Sequence, residues 1–334
     1  MTPKKHPWWI LTVHSKPAST RESGIALITA MLVMALASIA AAAVLVSANN
    51  GIRRAATLID GERAWWYAQG LESWVRRILA RDAEKDGAVD YKGEDWARPV
   101  DYLPVEQGAL RGGLEDLQGR FNLNNLGSAQ PAKYQQQLLR LFQNIPGLDA
   151  AQAQPLAAAI KDWIDADQLP SGAGGAEDPD YLSLPQPYRA ANQPMVSPSE
   201  LLAIKGMTPA LYQALAPYIC TLPLGANRAP TKINVNTASL AVLLSLSATV
   251  DRAKVQVFID ERDENPAKSV PEMQTRNGGV LPADVTPDLI DVKTRYFLMK
   301  TEAFIGSGRA ALYSVIQRAG SGAPQVIARS LDTE

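Results

Sequence analysis

Between Ser23 and Ile52 the chain carries no charged residue, and Ala, Leu, Ile, Met and Val fill the stretch without a proline. A helix over residues 25–48 is roughly 36 Å long at about 1.5 Å per residue, enough to cross a hydrocarbon core of about 30 Å. The apolar core of a cleaved secretory signal is shorter, roughly 7–15 residues. The pattern therefore predicts a retained membrane span. Beyond it, Ile59, Trp66, Leu71, Val75, Ile78 and Leu79 recur at mostly helical spacings with Arg, Asp and Glu between them. This predicts that the helix continues as an amphipathic one through residue 82. Gly61 and Gly70 each cost about 1 kcal/mol of helix propensity and so would allow a bend there.

After residue 82 the pattern shortens into turns and brief alternating runs, which predict loops and a few strands. At the other end, residues 296–305 and 310–318 alternate around Gly306-Ser307-Gly308, and residues 325–330 form a further alternating run. That is an antiparallel hairpin followed by a third strand. A helical middle from about 127 to 290 separates the two strand regions, so the fold class is α+β.

The middle repeats itself. Residues 141–165 and 201–219 each read as a short apolar helix, a glycine turn, a capping residue and a second helix. Gly147-Leu148-Asp149 corresponds to Gly206-Met207-Thr208, with Asp149 and Thr208 as N-caps. A third, degenerate copy spans 243–263, with Thr249-Val250-Asp251 in the turn. Two asparagine stretches also echo one another, RFNLNNL (120–126) and KINVNTA (232–238). The helical units resemble helix-hairpin-helix modules, which implies a second function class, a membrane-anchored DNA-binding protein.

Charge argues against that class. The chain has 33 Lys and Arg against 34 Asp and Glu. Loss of residues 1–24 would remove four basic side chains and one acidic one, leaving a net charge of −4. DNA affinity rests mainly on phosphate neutralisation, and near the turns the hairpins offer only Lys205, so no nucleic acid partner is expected. Both histidines, His6 and His14, precede the apolar run. Without them, Ser-His-Asp, Cys-His and His-ligated zinc chemistry are closed to the mature chain. The expectation is a protein that is not an enzyme. Cys220 is the only cysteine, so no internal disulfide can form.

Lys4, Lys5, Lys16 and Arg21 precede the span against Glu22 alone, which places the N-terminus in the cytoplasm and the bulk of the chain outside. The charged leader ends in Gly24, directly before Ile25-Ala26-Leu27-Ile28. This junction resembles the type IV prepilin leader. The resemblance implies cleavage between Gly24 and Ile25 by a prepilin peptidase, methylation of the new amine on Ile25, and retention of the helix. Pilins and pseudopilins usually carry a glutamate at the fifth mature position. Here that position is Thr29. A subunit without this acid cannot recruit the amine of a neighbour above it, which suits the end of a filament.

The richest candidate site is acidic. In KDWIDADQLPSGAGGAEDPDYLSLPQPYRAAN (161–192), Asp165 and Asp167 follow a helix, and Glu177, Asp178 and Asp180 come after a glycine-rich linker. Five converging carboxylates repel one another unless neutralised, and Ca²⁺, with six to eight oxygen ligands and tolerant geometry, answers that need. The spacing is not that of an EF-hand, and a solvated acidic loop is the plain alternative. Taken together, the glutamate-free junction, LQGRFNLNNL, DWIDAD…GAEDPDYL…PYRAAN, SPSELLAIKGM and INVNTAS resemble the general secretion pathway protein K family, the large minor pseudopilins of type II secretion systems. The resemblance runs across nearly the whole chain.

It implies a pilin-like fold, a long N-terminal helix plus antiparallel sheet, with a large inserted all-helical domain that binds structural calcium. Applied here, that gives a leader (1–24), a transmembrane half-helix (25–48), a body in two parts (49–126 and 291–334) and the insertion (127–290). The implied calcium ligands are Asp165, Asp167, Glu177, Asp178 and Asp180. The implied role is to cap and initiate a periplasmic pseudopilus with the minor pseudopilins I and J, and to meet secreted exoproteins, from a single-pass position in the bacterial inner membrane. A minor pilin of a type IV pilus is the nearest alternative.

Overall fold

The computed structural model describes residues 20–85, 89–318 and 322–331. The expected leader, residues 1–24, lies outside the described residues except for its last five. Helix α1 runs without a break from Thr20 to Lys85, straight through Gly24, Gly61 and Gly70. The chain divides into two compact units at Leu58 and Ile59.

The first unit is the apolar part of α1. Ile25, Leu27, Ile28, Met31, Leu32, Val33 and Met34 are all more than half exposed. Among the described residues this is the one helix long and apolar enough to cross a membrane, and none of its apolar window is buried. Burial in lipid would supply what the protein does not.

In the second unit the remainder of α1 lies on a five-stranded antiparallel sheet built from β1 (Val100–Val105), β2 (Gly108–Asp116), β7 (Tyr296–Ile305), β8 (Gly308–Gln317) and β9 (Gln325–Leu331), in that order. Ala64, Ala68, Leu71, Val75 and Leu79, spaced three or four apart, are buried against Leu110, Leu114, Phe297, Met299, Ala303, Ile305, Leu312 and Ile316. Two positions expected on this face are elsewhere: Ile59 and Trp66 are 51% and 67% exposed. The β7–β8 hairpin explains why. A Cβ on Gly308 would lie 2.3 Å from the Asp60 carbonyl carbon, so helix and turn meet backbone to backbone. The Ser307 amide donates to Asp60 Oδ2 at 2.9 Å. At such an approach alanine fits at 64 and 68, and larger side chains must point away.

Strands β2 and β7 are direct partners, Asp116 opposite Phe297. Everything between them is an insertion into one hairpin, wider than the 127–290 span read from the sequence. It includes the asparagine stretches, and it is not wholly helical. Its first half runs from β3 (Phe121–Asn122) through α2 (Pro131–Gln143), α3 (Ala150–Ile164), α4 (Asp178–Leu182) and α5 (Pro209–Leu215) to β4 (Ile219–Cys220), which pairs in parallel with β3. Its second half runs from β5 (Ile233–Asn234) through α6 (Leu240–Ser245), α7 (Arg252–Glu261) and α8 (Glu272–Thr275) to β6 (Ile290–Asp291), parallel to β5.

The two halves are one design used twice. Buried Asn122 accepts the Asn124 amide and buried Asn234 accepts the Asn236 amide, each at 3.1 Å. Asn124 then clamps the backbone N–H and C=O of Met195 at 2.8 and 2.9 Å, while Asn236 does the same to Ala267 at 2.9 and 3.0 Å. A primary amide is one acceptor and two donors, so it can complete a strand-like pair where no strand is available. The helix pairs carry the expected turns: Gly147 and Gly206 at φ +86° and +84°, with Asp149, Thr208 and Asp251 as caps. One large apolar core, from Phe121 to Val292, fills the insertion. Asp116, buried, ties this domain to the sheet through Thr237, Asn234 and Thr294.

Candidate metal centre and processing junction

Helix α3 ends in the sequence that builds the site. Asp162 lies within the last turn, is fully buried, and accepts the Ser171 amide at 2.9 Å and the Ala176 amide at 2.8 Å. The linker Ser171–Gly175 is therefore not slack; it is wrapped around one carboxylate. Gly174 has φ +97°, and a Cβ there would meet Pro155 at 2.4 Å; a Cβ on Gly175 would meet Asp162 Oδ2 at 2.4 Å. Only glycines allow so close a wrap.

That wrap carries Glu177 back over α3. One oxygen each from Asp162, Asp165 and Glu177 lies within 4.8 Å of the others. Glu177 is 1% exposed, and neither Oε1 nor Oε2 has a hydrogen-bond partner. Burial, and after it the charges of Asp162, Asp165, Asp167 and Asp178, push its carboxyl up to about 7. Asp165 has its Oδ2 3.1 Å from Lys161 Nζ, while its Oδ1 is buried and unpartnered. Burial likewise raises its pKa, ahead of the opposing Lys161.

The other expected ligands are placed differently. Asp167 is exposed; its Oδ1 accepts the Leu169 amide at 2.8 Å, and its carbonyl accepts Asn192 Nδ2 at 3.3 Å. Asp178 accepts the Ala190 amide at 3.0 Å and has Arg189 3.9 Å away. Asp180 holds Lys205 at 2.6 Å, a contact that lowers its pKa, and also accepts the Glu177 amide at 3.3 Å. So Asp165 and Glu177 converge with free oxygens, Asp167 and Asp178 border them, and Asp180 is turned to a lysine. Sequence reasoning missed Asp162, although its i, i+3 spacing to Asp165 puts both on one helix face. It missed Asn192 too, whose Oδ1 is buried without a partner and whose φ is +48°. Trp163, Tyr181 and Tyr188 pack edge-on or stacked beside the loop at 5.3–6.4 Å between ring centres.

The arrangement is an all-oxygen donor set around a buried, unneutralised carboxylate. That chemistry fits a hard cation. Lys205, the basic residue beside the second hairpin turn, is committed to Asp180.

At the expected processing junction, Gly24 sits within α1 with nothing within 4 Å of a Cβ built on it, and Ile25 is 64% exposed. The Thr29 hydroxyl donates to the carbonyls of Ile25 and Ala26 at 3.1 and 3.0 Å. A hydroxyl satisfied inside its own helix needs no partner from another chain, whereas a carboxylate at that depth does.

Two profiles, both described as type II secretion system (T2SS) protein K, match residues 119–224 and 233–293, close to the two halves of the insertion. The type II secretion system protein K of Pseudomonas aeruginosa is 34% identical over 325 residues, 93% of each chain. That of Pectobacterium carotovorum is 32% identical, over 90% of this chain and 94% of its own. Among solved structures, one from the GspK–GspI–GspJ complex of the enterotoxigenic Escherichia coli type 2 secretion system superposes with a TM-score of 0.73. It is 26% identical and covers 84% of this chain and all of its own.

Proposed function

Because the chain belongs to the type II secretion system protein K family, and is thus a minor pseudopilin, we propose that it ends a periplasmic pseudopilus and helps to start its assembly, alongside the minor pseudopilins I and J. The observation that carries this is the insertion. A pilin-like helix and sheet are interrupted between two paired strands by a domain that holds most of the buried core. A subunit so enlarged suits a position with no subunit above it, and Thr29 at the glutamate position suits it equally. The exposed Trp66 and Trp74, 67% and 47% accessible on α1, fit contact with the helices of I and J, which accompany the similar solved chain.

The anchor is a single apolar helix. Its basic flank supports an N-terminus in the cytoplasm and the second unit in the periplasm of an inner-membrane protein. Prepilin peptidase would cut between Gly24 and Ile25 and methylate Ile25. Contact with secreted exoproteins would follow from a tip position. The acidic centre would hold structural Ca²⁺ through Asp162, Asp165 and Glu177, with Asp167, Asp178 and Asn192 close by and Asp180 in an outer, lysine-paired place. The ion's charge would neutralise the buried carboxylates and lock the loop onto α3. The role is structural, not enzymatic.

The test is stoichiometric. Pseudopili isolated with their full set of subunits should carry this chain at one end only, in complex with I and J. Labelling repeated along the fibre, or a complex lacking both partners, would overturn the reading.

A further inference from the structure

Lys161 stands at the wall of the acidic centre. Its ammonium is 3.1 Å from Asp165 Oδ2 and bonds Ser171 Oγ. Ser171 is the residue whose amide binds Asp162. The lysine and aspartate side chains are only 21% and 16% exposed, so the pair is held inside the loop and not on open surface. It thus links α3 to the glycine-rich wrap and spends its charge on half of one carboxylate. The other half, Asp165 Oδ1, and both oxygens of the 1%-exposed Glu177 remain without partners.

We infer that Lys161 is an internal stand-in cation: it holds Asp165 while no metal is bound and opposes the incoming ion, so that it sets the calcium level at which the loop locks. The inference rests on the reading of this centre as a calcium site. Its logic is one of competing charges. Without metal, the ammonium places a positive charge against Asp165, and its bond to Ser171 keeps α3 and the wrap together. An ion bound to Asp165 comes within one carboxylate's width of that ammonium. Lys161 must then either give up Asp165 or remain as a like charge beside a divalent ion, and both lower affinity. A lysine whose only task is to brace the loop predicts the opposite, since losing the brace would weaken ion binding.

The experiment is calorimetric titration of the full chain in detergent with CaCl₂, paired with melting curves in chelator and in excess calcium. The variants are Lys161→Gln, which keeps a donor for Ser171 without the charge, Lys161→Met, which keeps the stem, and Lys161→Arg, which keeps the charge. The neutral variants should bind Ca²⁺ about tenfold more tightly, the scale expected for removing one partly screened unit charge. They should also melt below the wild type in chelator yet match it in excess calcium. Lys161→Arg should stay within about twofold of wild type, because the guanidinium retains the competing charge. If wild type binds calcium and both neutral variants bind it equally or more weakly, Lys161 is only a brace and the inference fails while the calcium reading stands. If wild type itself shows no heat and no melting shift, the calcium reading fails and the inference with it.

Discussion

The two halves of the insertion share a frame and differ in how they balance charge. Each opens on a short strand, turns through a buried asparagine that clamps distant backbone, stacks a helix pair, and closes on a parallel strand. In the second half the helix α7 ends at Arg262, 3% exposed, whose guanidinium donates to the Val235 and Ala238 carbonyls at 3.0 and 2.6 Å. That half closes on its own cation. In the first half the corresponding helix α3 ends among Asp162, Asp165 and, from across the wrap, Glu177. Lys161 answers only part of that charge. The lesson is that a duplicated scaffold can end its two copies differently, and the copy whose buried carboxylate oxygens lack partners is where an external ligand would fit.

Five substitutions sharpen this contrast, in descending order of effect. Arg262→Met removes two charge-assisted hydrogen bonds and strands two buried carbonyls, so denaturant unfolding should show a loss of about 3–4 kcal/mol. Added calcium should not restore it; restoration would place an ion in the wrong half. Asn124→Ala and Asn236→Ala each orphan a buried N–H and a buried C=O, and each should cost about 2–3 kcal/mol. Near-equal losses are expected if the two clamps are one device, and a large gap between them would show that the halves are not equivalent.

Glu177→Gln takes a buried, unpartnered charge out of the first half. In chelator the variant should be more stable than wild type by about 1–2 kcal/mol, and calcium should no longer raise its melting temperature. A variant that still responds to calcium would remove Glu177 from the site.

The smallest effect tests the body. Burial pushes the Glu94 carboxyl up to about 7, although the Tyr91 amide and the Trp96 indole both donate to its Oε2, at 3.0 and 2.6 Å. Because its folded value lies above its ordinary 4.5, the folded state holds the proton more tightly than the unfolded one. The resulting penalty is absent below about pH 4.5, grows as pH rises, and is complete above about 7. Glu94→Gln keeps an acceptor for both donors and should flatten the fall in stability across that window, in chelator and calcium alike.

Much of the fold was legible because local rules governed it. The β7–β8 hairpin follows from alternation around Gly306-Ser307-Gly308, and the caps Asp149 and Thr208 from their place before apolar helices. The long apolar helix needed only length and absence of charge. What was not legible came from long-range contact. Ile59 and Trp66 have helical spacing, yet the close approach of Gly308 gave the buried face to Ala64 and Ala68. The asparagine echo was visible, but its purpose was not, because each clamp reaches 31 to 71 residues along the chain. At the acidic centre the loop and two of its converging carboxylates could be read from charge density. Asp162 was hidden as one more polar residue on a helix, since only the wrapped backbone of Ser171–Ala176 reveals that it organises the loop.

Hydrogen–deuterium exchange on the full chain, in excess chelator and in excess calcium, tests the account most directly, because both halves are read in one sample. Calcium should slow exchange strongly across residues 161–192 and leave residues 252–268 unchanged. Equal exchange in both conditions over the acidic wrap, or protection shared by the two halves, would contradict it.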